Sequence, residues 1–290
     1  MIETKDQSQT SSSQHPAHQG EEAIKHWIPD QQWYSSTVCA SVVNLSKLLL
    51  GRLNHLSFEG RERWDALFSE GARIDREGVK RGLLSFSNHV SLFDDPLLVS
   101  NLGETAFEQV RWIAADHINF FGNRLKGVLY SCGKCVPIIR GGGLKQPGFD
   151  FLIERLKLGD WVHLFPEGGR SREEDHRLQL PLKVGIGKLI CEAQPVLMPF
   201  YHYGMQDVLP IGKSVPRLAK RVIVRFGEAQ NADLDWFTRL GISHEMKDKE
   251  SAPQEVQREA WGRVTEWVRD ELLSLEKITH PRGMDQSSHP

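Results

Sequence analysis

A histidine and an aspartate lie close together where a strand-like apolar run ends. Residues 83–99 read LLSFSNHVSLFDDPLLV, so that Asn88-His89 follows the run and Asp94 comes five residues after the histidine. Histidine can accept and return a proton near neutral pH. A carboxylate at this separation can reach back to the imidazole and fix its tautomer. The pair is therefore a candidate general base, although a helix cap or a surface hydrogen bond explains the spacing equally well.

A second polar cluster follows the apolar residues 161–165, in the phrase WVHLFPEGGRSR. Its glycines allow the backbone to approach a ligand closely. Arg170 and Arg172 can each form paired hydrogen bonds with phosphate or carboxylate oxygens, and Glu167 can hold a hydroxyl group or an arginine. The loop is a candidate anion-binding or substrate-binding site, and the alternative is a polar turn with solvated charges.

Three other kinds of site are disfavoured. Cys132 and Cys135 have CxxC spacing, but Cys39 and Cys191 are isolated, so a zinc site would lack ligands. The strand-like run from Val136 argues against a thioredoxin-like site, which would open a helix. A Gly-x-Ser-x-Gly nucleophile motif is absent from the sequence, which weakens a serine-hydrolase interpretation. We therefore expect neither a metal nor a cofactor.

The composition excludes some broad classes of protein. The 290 residues include 36 Lys and Arg against 38 Asp and Glu, for a formal charge of -2, which argues against a nucleic-acid partner. A run of about 18 apolar residues, the length that spans a bilayer, does not occur in the sequence. Four cysteines are too few to hold together a chain of this length by disulfides.

Short apolar runs alternate with longer periodic ones, as in layered α/β proteins. We expect a mixed central sheet flanked by helices. One helix begins near Asp94-Asp95-Pro96, because acidic residues and a first-turn proline favour a helix N-terminus. Further helices are expected at 149–158 and 253–277, the latter with an apolar stripe. The expected strands are residues 82–86, 110–114, 136–139, 161–165, 196–200 and 221–226.

The two ends of the chain differ from the middle. Residues 1–25 are rich in Ser, Gln and His and have no large apolar side chain after Ile2, so they cannot offset the entropy lost on ordering. We expect a disordered N-terminal tail at 1–25 and a second frayed tail at 280–290.

Residues 33–53 form an amphipathic segment within the range 26–55. Trp27 and Trp33 lie at its start, and Lys47 and Arg52 toward its end, as in helices that lie in a lipid headgroup layer. We predict a membrane-associated helix there; the alternative is an ordinary helix packed on the domain. Its expected apolar face consists of Tyr34, Val38, Val42, Leu45 and Leu49.

Taken together, the motifs resemble those of the glycerolipid acyltransferase family. That family has an Asn-His-x-x-x-x-Asp motif, here Asn88, His89 and Asp94, and a later Phe-Pro-Glu-Gly block, here 165–168. Residues 133–140, GKCVPIIR, and 196–202, VLMPFYH, are similar to its two other blocks. Within the family, WVHLFPEGGRSR and the phrase HYGMQDVLP resemble the tafazzin branch. The resemblance is strong over roughly residues 82–227, and it makes 56–279 the expected acyltransferase domain.

The resemblance implies acyl transfer to a lysophospholipid hydroxyl at a membrane surface, as in phospholipid remodelling. A phospholipid is the favoured acyl donor and acyl-CoA the alternative, while a non-catalytic lipid-binding protein on the same fold is a second alternative. A peripheral or monotopic membrane protein is implied, with the mitochondrion favoured over the endoplasmic reticulum. The implied site consists of His89 as general base, Asp94 orienting it, Arg140 and Arg170 on the lipid phosphate, and Glu167 and Gly168 shaping the acceptor pocket.

Two features depart from the family pattern. A run of three glycines follows Arg140, which makes the conformation of that loop hard to predict. Gly169 stands where the broader family more often has Thr or Ser, so a hydroxyl group is absent at that position.

Overall fold

The structure is a computed structural model that describes residues 25–29, 33–69, 71–103, 109–242 and 253–281. Apart from Lys25, the expected N-terminal tail lies outside the described residues, as does 282–290 of the expected C-terminal tail. His280, the first residue of that second tail, is buried, and its Nε2 lies 2.9 Å from the carbonyl oxygen of Asp175. This histidine therefore packs on the domain.

A mixed sheet of eight strands forms the centre of the described chain. The strand order is β1-β7-β6-β2-β5-β3-β4, with β8 paired to β6. Strands β2 to β6 are parallel, β7 is antiparallel to β6, and β1 is parallel to β7. The predicted fold class is confirmed. The strands are β1 (His55–Glu59), β2 (Leu83–Phe86), β3 (Trp112–Asp116), β4 (Cys135–Ile138), β5 (Trp161–Leu164), β6 (Val196–Tyr203), β7 (Arg221–Phe226) and β8 (Gln230–Asn231).

Burial explains which strands the sequence revealed. Strands β2 and β5 are fully buried, so they read as continuous apolar runs. Strand β3 begins two residues later than expected. Strands β1 and β8 were not predicted: β1 lies at the edge of the sheet and alternates exposed with half-buried residues, and β8 is very short.

Ten α-helices connect and cover the strands within the described residues. A π-helical turn, Asp94–Val99, leads directly into α3, so the helix expected near Asp94 is present but begins with wider turns. The helices are α1 (Ser35–Leu49), α2 (Arg61–Ala66), α3 (Ser100–Leu102), α4 (His117–Phe121), α5 (Arg124–Cys132), α6 (Pro147–Lys157), α7 (Gly185–Ala193), α8 (Met205–Val208), α9 (Leu234–Arg239) and α10 (Gln254–Thr279).

Each face of the sheet has its own apolar core because alternate strand residues point to opposite sides. Helices α6, α7 and α10 cover one face, where Leu84 and Leu197 are buried. On the other face, Trp64 of α2 packs against Trp161 and Phe200, together with side chains of the π-helical turn and α8. Because strands β2 to β6 are parallel, their carboxyl ends lie together between the two cores.

Helix α1 packs on the domain through a stripe that differs from its expected apolar face. The buried residues on and next to this helix are Ser35, Cys39, Val43, Ser46 and Leu50, each one position after a residue of the expected face. Small and polar side chains therefore make much of the contact between α1 and the rest of the domain. The expected face is left partly uncovered by the described residues.

Helices α7 and α10 approach so closely that one glycine is required between them. A Cβ atom on Gly187 would lie 2.1 Å from the carbonyl oxygen of Trp261 and 2.7 Å from Oγ1 of Thr265. A Cβ atom on Gly262, in α10, would have no neighbouring heavy atom within 4 Å. The two glycines thus form a matched pair, one in a tight contact and one free of it.

We predict that Gly187→Ala lowers the free energy of unfolding by about 1–3 kcal/mol, because the added methyl group forces the helices apart. Gly262→Ala should leave it unchanged or raise it by up to about 1 kcal/mol, because alanine favours helix. Urea unfolding of both variants measures the difference. Equal stability of the two variants would contradict the close contact.

Candidate active site

The two candidate segments meet because the strands before them are parallel neighbours. Phe86 of β2 pairs with Leu164 of β5, so the residues that follow both strands emerge at the same edge of the sheet. The Ser171 amide donates a hydrogen bond of 2.6 Å to the His89 carbonyl oxygen across this edge. The loop 165–172 is therefore directly attached to the segment that carries the histidine.

His89 and Asp94 form the ion-pair geometry of a general base and its orienting carboxylate. The distance from His89 Nδ1 to Asp94 Oδ2 is 2.8 Å. Asp94 is fully buried, whereas the His89 side chain is 18% exposed. Because the carboxylate accepts the hydrogen on Nδ1, the other ring nitrogen, Nε2, is left as the basic atom.

The loop before the π-helical turn holds Asp94 in its ionised form. Oδ2 of Asp94 also accepts hydrogen bonds from the amides of Val90, at 2.6 Å, and Ser91, at 2.8 Å. Burial opposes ionisation, but the hydrogen bonds from the His89 ring and the Ser91 amide outweigh it, so the pKa of Asp94 is lowered. The carboxylate is available to stabilise an imidazolium on His89.

Asn88 joins the end of β2 to β6. Its side-chain amide donates to the His202 carbonyl oxygen at 2.9 Å, and its side-chain oxygen accepts from the His202 amide at 3.0 Å. His202 Nε2 lies 3.0 Å from the Asn88 carbonyl oxygen and 3.8 Å from Asp94 Oδ2. Burial lowers the pKa of His202, so this second histidine is neutral and donates to Asn88.

Glu167 ties the histidine segment to the loop after β5. One carboxylate oxygen accepts the His89 amide at 2.5 Å, and the other accepts the Gln179 amide at 2.7 Å. Burial raises the pKa of Glu167 to about 8 although both amides lower it. The structure thus places Glu167 behind the histidine backbone, and its predicted contact with the acceptor stays a prediction.

Phe165 covers one face of the histidine. The Phe165 and His89 rings are stacked with centroids 4.2 Å apart and planes 14° from parallel. The sequence marks this phenylalanine only as part of a motif block, and nothing in its spacing indicates a ring contact.

Arg140 lies next to the loop after β5, close to Gly169. Arg140 is 62% exposed, and its Nε lies 2.7 Å from Oδ2 of Asp116 at the end of β3. A Cβ atom on Gly169 would be 3.9 Å from an Arg140 guanidinium nitrogen. Arg170 is half-buried in the same loop and has no hydrogen bond or ion pair with a described residue. Arg140 therefore lies next to the loop that carries Arg170, and their joint binding of an anion stays a prediction.

Gly168 has a conformational role. Its φ is +71°, and a Cβ atom there would lie 2.8 Å from Cγ of Lys183. Both observations favour glycine at this position. Lys183 also donates its amide to the Pro166 carbonyl oxygen at 2.7 Å, so the loop is held from two sides.

The glycine run after Arg140 forms a compact turn. Gly141 and Gly143 both have φ of +77°, which glycine adopts without strain. The side chain of Gln146 closes the turn by accepting the Ile139 amide at 2.8 Å and donating to the Gly143 carbonyl oxygen at 2.6 Å. Gln146 therefore fixes the conformation of this loop, which the sequence did not predict.

Cys132 and Cys135 lie away from the carboxyl ends of the strands, where the candidate site is. Cys132 ends α5 and Cys135 begins β4, and both are buried. Burial raises the pKa of Cys135 to about 12, which keeps its thiol protonated. Groups of three or more His, Cys, Asp or Glu side chains arranged to hold a metal do not occur in the described part of the chain.

Comparison with known proteins gives the family. Residues 57–203, which include both candidate segments, match the family described as Acyltransferase. The chain belongs to the acyltransferase family. The match begins within β1 and ends with β6, so it covers the strands whose carboxyl ends carry His89, Arg140 and the loop after β5.

Individual relatives confirm the resemblance to tafazzins. The chain is 32% identical to Drosophila melanogaster tafazzin over 263 residues, which cover 88% of this chain and 65% of that protein. It is 29% identical to the Dictyostelium discoideum protein called taffazin over 276 residues, 91% and 92% of the two chains. Arabidopsis thaliana N-acylphosphatidylethanolamine synthase is 35% identical over 133 residues, 44% and 46%.

Proposed function

We propose that this protein is an O-acyltransferase that moves a fatty acyl chain onto the hydroxyl of a lysophospholipid. The observation that carries the proposal is the 2.8 Å contact between His89 Nδ1 and the buried, ionised Asp94. Membership of the acyltransferase family and the tafazzin relatives support the same reaction.

The reaction begins with proton removal by His89. Its Nε2 takes the proton from the acceptor hydroxyl as that oxygen attacks the acyl carbonyl carbon, and the carbonyl oxygen becomes an oxyanion. Asp94 holds the imidazole in the reactive tautomer and stabilises the imidazolium that forms. Arg140 and Arg170 would bind the lipid phosphate and so hold the acceptor near the base.

The same imidazolium can complete the transfer. When the tetrahedral intermediate collapses, the ester bond to the donor breaks, and the departing glycerol alkoxide takes the proton back from His89. The products are a newly acylated phospholipid and a lysophospholipid, with the base regenerated. A thiolate leaves without such help, so one His-Asp pair serves a phospholipid donor and acyl-CoA alike.

We favour a phospholipid donor because the relatives include tafazzins, with acyl-CoA as the alternative. The basic residues that could meet CoA phosphates are Lys183, Lys188, Arg217, Lys220 and Arg221, which a solvated surface also explains. Lys188 is buried, and its Nζ donates to the Leu144 carbonyl oxygen at 2.7 Å, so it is not available to such a ligand. A non-catalytic lipid-binding protein is disfavoured, because such a protein has no need for an imidazole paired with a buried carboxylate.

We further propose that α1 attaches the protein to one leaflet of a membrane, with the mitochondrial membrane favoured over the endoplasmic reticulum. Trp33 is 88% exposed, and Leu45 and Leu48 are each about half exposed, while Lys47 and Arg52 lie close by in the sequence. Apolar side chains beside cations suit a headgroup layer. Among the described helices, not one is both long and apolar enough to cross a bilayer.

His89→Ala should lower acyl transfer by about a hundredfold or more, the scale of losing a general base, while binding to lipid vesicles is retained. Asp94→Asn should behave similarly, since an amide permits the wrong imidazole tautomer. The exposed His55 on β1 provides a matched control, and His55→Ala should keep full activity. Equal rates for the His89 variant and the parent protein would disprove the mechanism.

The tafazzin relatives favour a phospholipid as the acyl donor, and a test without CoA checks this preference. Purified protein freed of CoA, given acyl-labelled phosphatidylcholine and a lysophospholipid, should transfer label to the lysophospholipid. Transfer only after acyl-CoA is added would overturn the phospholipid donor and leave the role of His89 in place.

Replacing Leu45 and Leu48 together by Ser should weaken vesicle binding by about tenfold or more, because two leucine side chains no longer enter the lipid. Ile74→Ser with Val79→Ser is the matched control, since these equally exposed residues precede β2 and lie at the opposite edge of the sheet. Sedimentation with vesicles measures both. Protease access to the two ends of the helix from opposite sides of sealed vesicles would refute single-leaflet attachment.

A further inference from the structure

Three aromatic rings follow one another behind the candidate base, and we call His89, Phe165, His163 and Phe200 together the ring stack. The His89 ring is parallel to Phe165 at 4.2 Å. Phe165 is perpendicular to His163 at 4.6 Å, with an interplanar angle of 83°. His163 in turn lies nearly parallel to Phe200 at 5.4 Å. The stack runs from the exposed edge of the sheet into its core, since His163 and Phe200 are fully buried.

The inner rings are fixed by hydrogen bonds and packing. His163 Nδ1 lies 2.9 Å from Oγ of Ser85, which accepts a hydrogen bond of 2.7 Å from Nε1 of Trp161. Burial holds the pKa of His163 well below its usual range, so this ring is neutral. Phe165 therefore rests on a ring that neither rotates freely nor carries a charge.

We infer that Phe165 is a positioning residue for His89, which sets the plane of the imidazole and stabilises the imidazolium formed during proton transfer. The inference rests on the proposed function of His89 as general base. It concerns a residue to which the sequence motifs give no role of its own.

Asp94 alone does not determine the direction in which Nε2 points. Its hydrogen bond to Nδ1 tolerates a range of distances and angles, so the imidazole plane can still tilt by small changes of χ1 and χ2 while the bond is kept. A ring face packed 4.2 Å away removes this freedom. Asp94 and Phe165 together therefore define both the tautomer and the plane of the base.

The Phe165 ring also interacts with the positive charge that forms on His89. An aromatic face attracts a cation whose centre lies within about 6 Å, and the 4.2 Å separation of the His89 and Phe165 rings is inside that range. The attraction is weak for neutral imidazole and strong for imidazolium, so it grows as the acceptor hydroxyl loses its proton. Phe165 thus lowers the energy of the state that the reaction must reach.

Four other titratable side chains lie near His89. Asp94 binds the ring directly, Glu167 binds the His89 amide, and His163 and His202 are neutral because burial lowers the pKa of each. All four side chains remain when Phe165 is replaced. A change in the titration of His89 in such a variant therefore reports the ring contact.

The experiment compares Phe165→Leu, which keeps an apolar side chain without a π face, with Phe165→Tyr, which keeps the ring. Phe58→Leu is the packing control, because Phe58 stacks on Phe226 with centroids 6.3 Å apart and lies in the edge strand β1, which is not paired with β2 or β5. We expect Phe165→Leu to reduce kcat about tenfold with little change in KM. Its acid limb of kcat/KM should move to lower pH by about half to one unit. The Tyr variant and the Phe58 control should match the parent in both respects.

NMR of histidine-labelled protein without substrate gives an independent readout. The ring signal of His89, assigned by its loss in His89→Ala, should titrate at lower pH in Phe165→Leu than in the parent by a similar amount. A lower kcat with neither the acid limb nor the titration moved would overturn the inference, because packing alone would then explain the loss. A shifted titration in a protein without acyltransferase activity would support the ring contact and refute the proposed function.

Discussion

An ionised carboxylate with no exposure to solvent is the constraint on which this site depends. Removing a charge from water is costly unless hydrogen bonds and an opposite charge replace the lost hydration. Asp94 meets this requirement through one oxygen that receives two backbone amides and the His89 ring. The loop between His89 and the π-helical turn must therefore curl around the carboxylate, and that geometry also aims the imidazole.

The surrounding elements can be understood as supports for that arrangement. Asn88 fixes the end of β2 to His202 on β6, and Glu167 fixes the next residue to the loop after β5. Three neighbouring parallel strands thus hold one short segment from both sides. Rigid strand ends position reacting groups more accurately than free loops do, because each end is fixed by the ladder behind it.

Sequence reasoning recovered the parts that depend on local chemistry. Strands β2 and β5 were visible because they are buried on both faces, and His89 and Asp94 because a short loop brings them together. Long-range pairing was not visible: β1 joins β7 from the other end of the chain, and His202 reaches Asn88 across a distance of 114 residues. Local patterns carry no information about such contacts.

Two adjacent glycines in the loop after β5 have opposite tolerance to change. Gly168 is fixed by its backbone conformation and by Lys183, whereas the space beside Gly169 is open as far as Arg140. One residue therefore preserves the path of the chain, and its neighbour can gain a side chain while the path stays the same. An evolving lineage can thus change the shape and polarity of the surface beside Arg140 by single substitutions, without passing through a misfolded ancestor.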